Sequence, residues 1–356
     1  MKIALIAYLH GNGGAERQIT MLANTLAERH EVYMIITGAN NQKYAISNQV
    51  HIVDVTDVEG KSLSVLRRYW AQRNALKEIN PNVSVHYNFQ SAYFAVAMPK
   101  KYSGKIIYSE RGDPYDDEYT GLLGLIRKYS IKKIDGFVFQ TEGARDYFDE
   151  ETRKRSTVIH NPITIPSEYQ GGLGKREKRI VNIGRLHPQK NQKLLVEAFS
   201  LIAEKYPDYT LEIFGDGILQ GVLEEQIQNC GLKGRVLIKN PRKDIFGAIK
   251  DASLFVLTSD YEGMPNALME AMALGLPCIS TDCRPGGARA LIEDGINGFV
   301  VPRGDAKSLA EKMSYLLSNN DISQTIGLKA MKILDDHTPE AIFKHWEQFI
   351  EKISKQ

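Results

Sequence analysis

The sequence predicts an α/β fold of two similar doubly wound, parallel-sheet domains facing each other across a cleft, and three observations carry that expectation. At 356 residues the chain is too long for one core, because cores stop growing and split into units of roughly 100 to 200 residues. Short apolar runs alternate with stretches of helical spacing, the pattern of strands covered by helices on both faces. The alternation is broken once, at 163–178, by prolines, glycines and a charge run, and then restarts. The expected domains are 1–165 and 178–335, with 163–178 as the linker.

The first strand is KIALIAY (2–8), followed by a glycine loop and the helical AERQITMLANTLAERH. The unit recurs through EVYMIIT (31–37), a helical stretch near 62–79, VSVHY (83–87), KIIYS (105–109), a helix from about 121, GFVFQ (136–140), a helix from 142 and STVIHNP (156–162). The second series is RIVNIGR (179–185), YTLEIFG (209–215), RVLIK (235–239), SLFVLTS (253–259), PCISTD (277–282) and GFVVP (298–302), ending in helices. In the last of these, Ile342, Trp346, Phe349 and Ile350 recur at helical spacing.

Composition bounds the function loosely. With 43% apolar and 25% charged residues the chain is a soluble globular protein, and its formal charge of +2 leaves an anionic ligand open without requiring one. No nucleic-acid partner is expected. Cys230, Cys278 and Cys283 form no C-x-x-C pair and have no histidine at ligand spacing, which suits a reduced cytosolic protein without a zinc site. The apolar start of the chain is too short for a signal sequence or a spanning helix of about 20 residues.

Ligands of open parallel sheets bind beyond the carboxyl ends of the strands, so the loops HGNGGAER, ERGDP, GRLHPQKN and DYEGMPN are the ones to read. Gly11, Gly13 and Gly14 precede a helix, where backbone N–H groups attract phosphate; an ordinary tight turn is the plain alternative. A dinucleotide fingerprint fails twice, with Glu16 at the third glycine position and Thr37 and Gly38 where an acidic residue belongs. Arg185 and Lys190 combine a planar fork with a flexible point charge, which suits two adjacent phosphates, although such residues in a loop are commonly just solvated.

The stretch YEGMPNALMEAMALGLP (261–277) places Glu262 just outside a helix and Glu270 within it. Pro265 fits the first turn, and the helix is apolar on nearly every side, hence buried. A buried Glu270 needs partners, which a ligand rich in hydroxyls supplies. From Pro265 to Glu270 the axis covers about 7–8 Å. Two carboxylates flanking a helix N-terminus therefore match a nucleoside diphosphate sugar: Glu270 on ribose, the backbone around Met264, Pro265, Asn266 and Ala267 facing the phosphate with its N–H groups, and Glu262 on the hexose. The alternative is a helix-dipole Glu plus a core Glu paired to a neighbour.

The stretch EGMPNALMEAMALGLP resembles the Glu-x7-Glu signature of the retaining family 4 glycosyltransferases, and GGAER, GRLHPQKN and FGDG (214–217) occur in the family's order. The resemblance spans essentially the whole chain. It implies a GT-B fold, with a last helix at about 338–356 crossing back to the first domain, and transfer of a hexose with retention from a nucleotide sugar, by family habit a UDP-sugar, to a saccharide or lipid-linked saccharide. By position it implies Arg185 and Lys190 at the diphosphate, Glu262 at the donor hexose, Glu270 at the ribose, and Gly13 and Gly14 approaching phosphate or sugar. Where many members have a histidine after the strand at 105–109 this chain has Glu110, so Glu110, Arg111 and Asp113 are candidates for the donor sugar or the acceptor without fixed roles.

The chain has no Asp-x-Asp pair for a metal on the diphosphate, so a metal-independent transferase without cofactor is expected. A glycoside hydrolase would also pair carboxylates but has no diphosphate to neutralise. A sugar-nucleotide 2-epimerase or a non-catalytic binding module would share the nucleotide site. Finally, YTGLLGLIRKYSIKKIDG (119–136) is a basic amphipathic segment, expected to touch a membrane weakly at its cytoplasmic face; a helix packing one side on the sheet is the alternative.

Overall fold

The computed structural model describes residues 1–9, 13–40, 43–56, 65–97, 104–115, 120–170 and 174–356. Gly11, the start of the helical stretch near 62 and the first residue of the 119–136 segment lie outside them. The chain divides into two compact units, residues 1–162 with 339–356, and residues 163–338.

In the first unit the order is β1 (Lys2–Leu9), α1 (Gly14–Ala27), β2 (Glu31–Asn40), β3 (Val50–Asp54), α2 (Val65–Ile79), β4 (Val83–His86), α3 (Phe89–Val96), β5 (Lys105–Ser109), α4 (Gly121–Ile131), β6 (Gly136–Phe139), α5 (Glu142–Asp146), α6 (Glu150–Lys154) and β7 (Ser156–Val158). Among the described residues these strands form one parallel sheet in the order β3-β2-β1-β4-β5-β6-β7. β1 shows why both faces are covered: Ile3, Leu5, Ala7 and Leu9 point into one core while Ala4 and Ile6 point into the other, the two-residue period of a strand. Side-chain caps start several helices, Asn88 accepting from Ser91 N, Thr141 from Ala144 N and Asp149 from Thr152 N.

The second unit runs β8 (Glu177–Ile183), α7 (Gln192–Ile202), β9 (Thr210–Phe214), α8 (Gln220–Asn229), β10 (Val236–Lys239), α9 (Ile245–Ile249), β11 (Ala252–Leu257), α10 (Asn266–Ala273), β12 (Cys278–Thr281), β13 (Phe299–Val301), α11 (Ala306–Ser318), α12 (Asn320–Ala330) and α13 (Ile333–Asp336). Its strands are again parallel, in the order β10-β9-β8-β11-β12-β13. The last helix, α14 (Pro339–Ser354), then returns to the first unit, where Trp346, Phe349, Ile350 and Ile353 are buried with Ile3, Leu5, Val83 and Val138.

Two expectations are corrected. The stretch 163–178 is not a free linker: Ile163 and Ile165 are buried with Phe255, Leu268 and Ile333, and the Ile163 amide donates to the His337 carbonyl at 2.9 Å. The second unit therefore begins at Ile163 and ends at Thr338, not at 178 and 335. Prolines and glycines marked a change of direction there, while the isoleucines between the prolines supplied burial. Elements β3 and α3 went unread, β3 because Val50–Asp54 is short and mostly exposed, α3 because its eight residues show little amphipathic contrast.

Candidate active site

Strand order in the second unit reverses between β8, whose other neighbour is β9, and β11, whose other neighbour is β12. At such a switch point the loops leaving the two central strands diverge and open a crevice beyond their carboxyl ends. The loop after β8 carries Arg185 and Lys190; the loop after β11 carries Ser259, Asp260 and Glu262. Topology alone thus brings together residues more than seventy positions apart.

The two loops are joined side chain to side chain. Lys190 Nζ donates to Glu262 Oε1, and Ser259 Oγ donates to the same oxygen at 2.7 Å. Glu262 is 8% exposed, so a charged carboxylate at this depth requires such donors. Hydrogen bonds to backbone carbonyls fix the frame: Asp260 N donates to Gln189 O at 2.8 Å, Thr258 Oγ1 to Lys190 O at 2.9 Å, and Gln189 Nε2 to Tyr261 O at 2.9 Å. The loop after β12 joins through Thr281 Oγ1 to Ser259 O at 2.6 Å and Glu262 N to Arg284 O at 2.6 Å. Arg185, in the same loop as Lys190, is exposed, its guanidinium 3.5 Å from Gln189 Oε1. Burial, reinforced by the charge of Glu262, pushes the Cys283 thiol up to about 12.

Glycines allow the loops this proximity. A Cβ on Gly287 would fall 2.5 Å from Gly263 O and 2.9 Å from Glu262 O, and one on Gly215 or Gly217 would overlap the backbone of Gly184 or Leu186. Asn191 takes the left-handed conformation, φ 46° and ψ 45°, and thereby turns the Lys190 loop into α7.

Helix α10 starts beside this frame, with Pro265 at its N-cap and no side chain capping it. The first turn of the helix begins at Asn266, the end of a helix at which the peptide dipoles favour negative charge. Met264 and Pro265 are buried. Glu270, 7% exposed, lies in the same helix among Leu268, Met269, Ala271, Met272 and Ala273. Lys190, Glu262, the residues 264–267 and Glu270 are therefore contiguous along one loop–helix junction, with Arg185 at its edge.

The first-unit candidates have internal partners. Glu110 Oε2 accepts from Arg127 at 3.1 Å and from Tyr108 OH at 2.8 Å, and its Oε1 accepts from Gly112 N at 3.2 Å. Arg111 donates to Asn161 Oδ1 at 3.0 Å and stacks on the rings of Tyr87 and Trp346, 4.1 and 5.5 Å away; burial lowers its pKa. Asp113 is buried and accepts from Tyr115 N at 3.0 Å. Gly13, extended at φ −72° and ψ 140°, is the N-cap of α1, and Gly14 is its first residue. Among the described residues the His30, Glu347 and Glu351 cluster is the one group spaced for a metal, and Glu347 there is held by Arg29 and His30.

Family models match the chain along both units. The family described as "Glycosyl transferases group 1" matches residues 167–332, and "Glycosyltransferase Family 4" matches residues 12–165. The chain belongs to the family 4 glycosyltransferases. It is 25% identical to the GalNAc-alpha-(1->4)-GalNAc-alpha-(1->3)-diNAcBac-PP-undecaprenol alpha-1,4-N-acetyl-D-galactosaminyltransferase of Campylobacter jejuni, over 99% of each chain. To the amylovoran biosynthesis glycosyltransferase AmsD of Erwinia amylovora it is 28% identical, over 98% of this chain and 99% of that one. The fold is that of Anabaena Alr3699/HepE, solved with UDP-glucose, at a TM-score of 0.77, 19% identity and full coverage of both chains.

Sequence reasoning about this glycosyltransferase missed Ser259, Gln189 and Gly287. Ser259 had a readable signal, a hydroxyl three residues before the carboxylate it holds. Gln189 and Gly287 had none, since one works through a carbonyl in another loop and the other by lacking a side chain.

Proposed function

We propose that this glycosyltransferase moves a hexose, with retention, from a UDP-sugar to a lipid-linked saccharide at the cytoplasmic face of a membrane, without a metal or other cofactor. The observation that carries the reading is the convergence of Lys190 and Ser259 on Oε1 of Glu262 at the mouth of α10, with Glu270 buried further along that helix. Both donors fall on one oxygen, so Oε2 serves the hexose hydroxyls. Glu270 accepts from the ribose. The relative in Campylobacter, whose name specifies an undecaprenol-linked acceptor, and the UDP-glucose complex of HepE support the choice of acceptor and donor.

As the glycosidic bond breaks, negative charge grows on the leaving diphosphate. Arg185, Lys190 and the opening amides of α10 stabilise that charge and are in place before it develops. On this reading Glu262 positions the donor and does not attack. The leaving phosphate itself takes the acceptor proton on the face that the new bond occupies. The charge is met by side chains and amides, so no divalent ion is required.

The test is a transfer assay with UDP-hexoses and a polyprenyl-diphosphate-linked saccharide, the product anomer read by NMR. Transfer that persists in EDTA and keeps the donor's α configuration is expected. An inverted product, or activity restored only by a divalent ion, overturns the corresponding part.

A further inference from the structure

The first unit has a crevice of its own. Its strand order reverses between β1, whose other neighbour is β2, and β4, whose other neighbour is β5, and the segments leaving those two strands diverge beyond their carboxyl ends. Three side chains meet there. Tyr8 lies near the end of β1, on the face that carries Ala4 and Ile6 and is covered by α2 and α3. Arg68 lies in the first turn of α2, four residues before Gln72, which is buried and donates to the Ser91 carbonyl of α3 at 2.8 Å. That spacing turns Arg68 to the same side of the helix. Gln90 is the second residue of α3, and all three side chains are half-buried.

Their hydrogen bonds run in one direction and leave only donors over. Arg68 Nη1 donates to Tyr8 OH at 3.3 Å, and Tyr8 OH donates to Gln90 Oε1 at 3.0 Å. That uses the acceptor oxygen of Gln90, while its amide N–H groups meet no acceptor among the described residues. Arg68 Nε is buried without an acceptor, and no carboxylate among the described residues pairs with the guanidinium. Nε with Nη2 is the edge by which a guanidinium grips a carboxylate as a fork. The backbone adds positive potential, since the start of a helix favours acidic side chains, yet the first turn of α2 holds Arg67 and Arg68 and none acidic, and that of α3 has none either. A half-buried cation without an anion, at the positive end of its helix, destabilises the empty protein and is relieved by a bound anion.

We propose that Arg68, Gln90 and Tyr8 form an acceptor subsite that selects a sugar bearing a carboxylate. The subsite is the acceptor's, and so rests on the reading of the chain as a UDP-sugar transferase, because the donor diphosphate has cations of its own, Arg185 and Lys190, in the crevice of the second unit. One guanidinium with neutral donors beside it matches a singly charged carboxylate; a multiply charged diphosphate calls for further cations. Arg68 supplies the fork, Gln90 an amide donor, and Tyr8 holds the two in place.

The full chain, saturated with UDP so that the donor site is filled, is titrated with D-glucuronate at constant ionic strength while its melting temperature is followed. D-glucose is the neutral control, and inorganic pyrophosphate stands for a carrier diphosphate. Glucuronate should raise the melting temperature above that with UDP alone, since a ligand of the native state stabilises it, and glucose should do so far less. Arg68→Gln should raise the glucuronate concentration needed for half the shift about 10- to 100-fold, through the loss of hydrogen bonds to a charged group. Tyr8→Phe, which keeps the ring but cuts the relay to Gln90, should raise it less. Unliganded melting temperatures close to that of the wild type, with an unchanged shift by UDP, confirm that the variants fold. Glucuronate stabilising no better than glucose, or stabilising the Arg68→Gln protein as it does the wild type, overturns the proposal. So does a pyrophosphate response that depends on Arg68 and exceeds that of glucuronate. A chain that UDP does not stabilise would instead count against the reading of the donor, while the glucuronate response with and without Arg68 would still decide the subsite.

Discussion

Glu262 and Lys190 illustrate what a single residue contributes here. Replacing Glu262 by Gln leaves Lys190 without its anion; on the proposed reading it also weakens the hold on the hexose, and replacing Lys190 by Met removes charge facing the leaving group, so kcat should fall roughly 100- to 1000-fold for each. Ser259→Ala acts through Glu262, so transfer should drop about tenfold with the loss of one hydrogen bond to a charged group, while Ser259→Thr restores it. Steady-state kinetics with the natural donor check all three. His86 predicts a pH effect. Its ring is fully buried between Ser84 and Ser91, and burial lowers its pKa from 6.5 to about 3. The unfolded chain takes up a proton at this residue below 6.5 while the folded one does not, so stability is present above that pH and lost as pH falls toward 3. Denaturant melts from pH 7 to 4 should include a contribution to the slope of up to about 1.4 kcal/mol per unit from this ring, so His86→Gln should show a shallower slope, with His337 and His345, whose pKa values burial also lowers, still contributing. Of these residues the sequence yielded Glu262, Glu270, Arg185 and Lys190, because the spacing around Pro265 and the loop after a strand are local signals. The hydrogen bonds holding Glu262 come from two other segments of the chain and leave no local trace.

At the level of elements, α4 was legible as a basic amphipathic helix, but spacing does not say which side faces inward. That depended on Glu110 at the end of β5, which takes Arg127 into the core. Arg127→Leu strands the Glu110 carboxylate in a buried position and should cost about 3–5 kcal/mol, whereas Glu110→Leu with Arg127→Leu should cost clearly less than the sum of the single changes. Chemical denaturation of the four proteins measures this. The glycine of β9's exit loop is a second element-scale constraint: a Cβ at Gly215 collides with the Gly184 carbonyl, so Gly215→Ala should destabilise the second unit by about 1–3 kcal/mol. Donor-induced thermal stabilisation should decline with it, since Gly184 adjoins Arg185.

The alternation of strands and helices across the whole chain gave away two doubly wound units, because period and length suffice for that. Strand order was not legible, although it is what makes the crevice between β8 and β11; parallel neighbours are chosen by crossovers that no local pattern records. Truncation after Thr338 removes Ile342, Phe343, Trp346, Phe349, Ile350 and Ile353 from the first unit's core. At about 2 kcal/mol for each side chain that exceeds the stability of most domains. Residues 1–162 should then lose protection in hydrogen exchange while 163–338 keep theirs; equal loss in both would contradict the division. The same discontinuity orders events at the ribosome. Residues 1–162 cannot bury their full apolar surface until the sixteen-residue α14 has been made, so the unit begun first is completed only after the whole of the other has been synthesised.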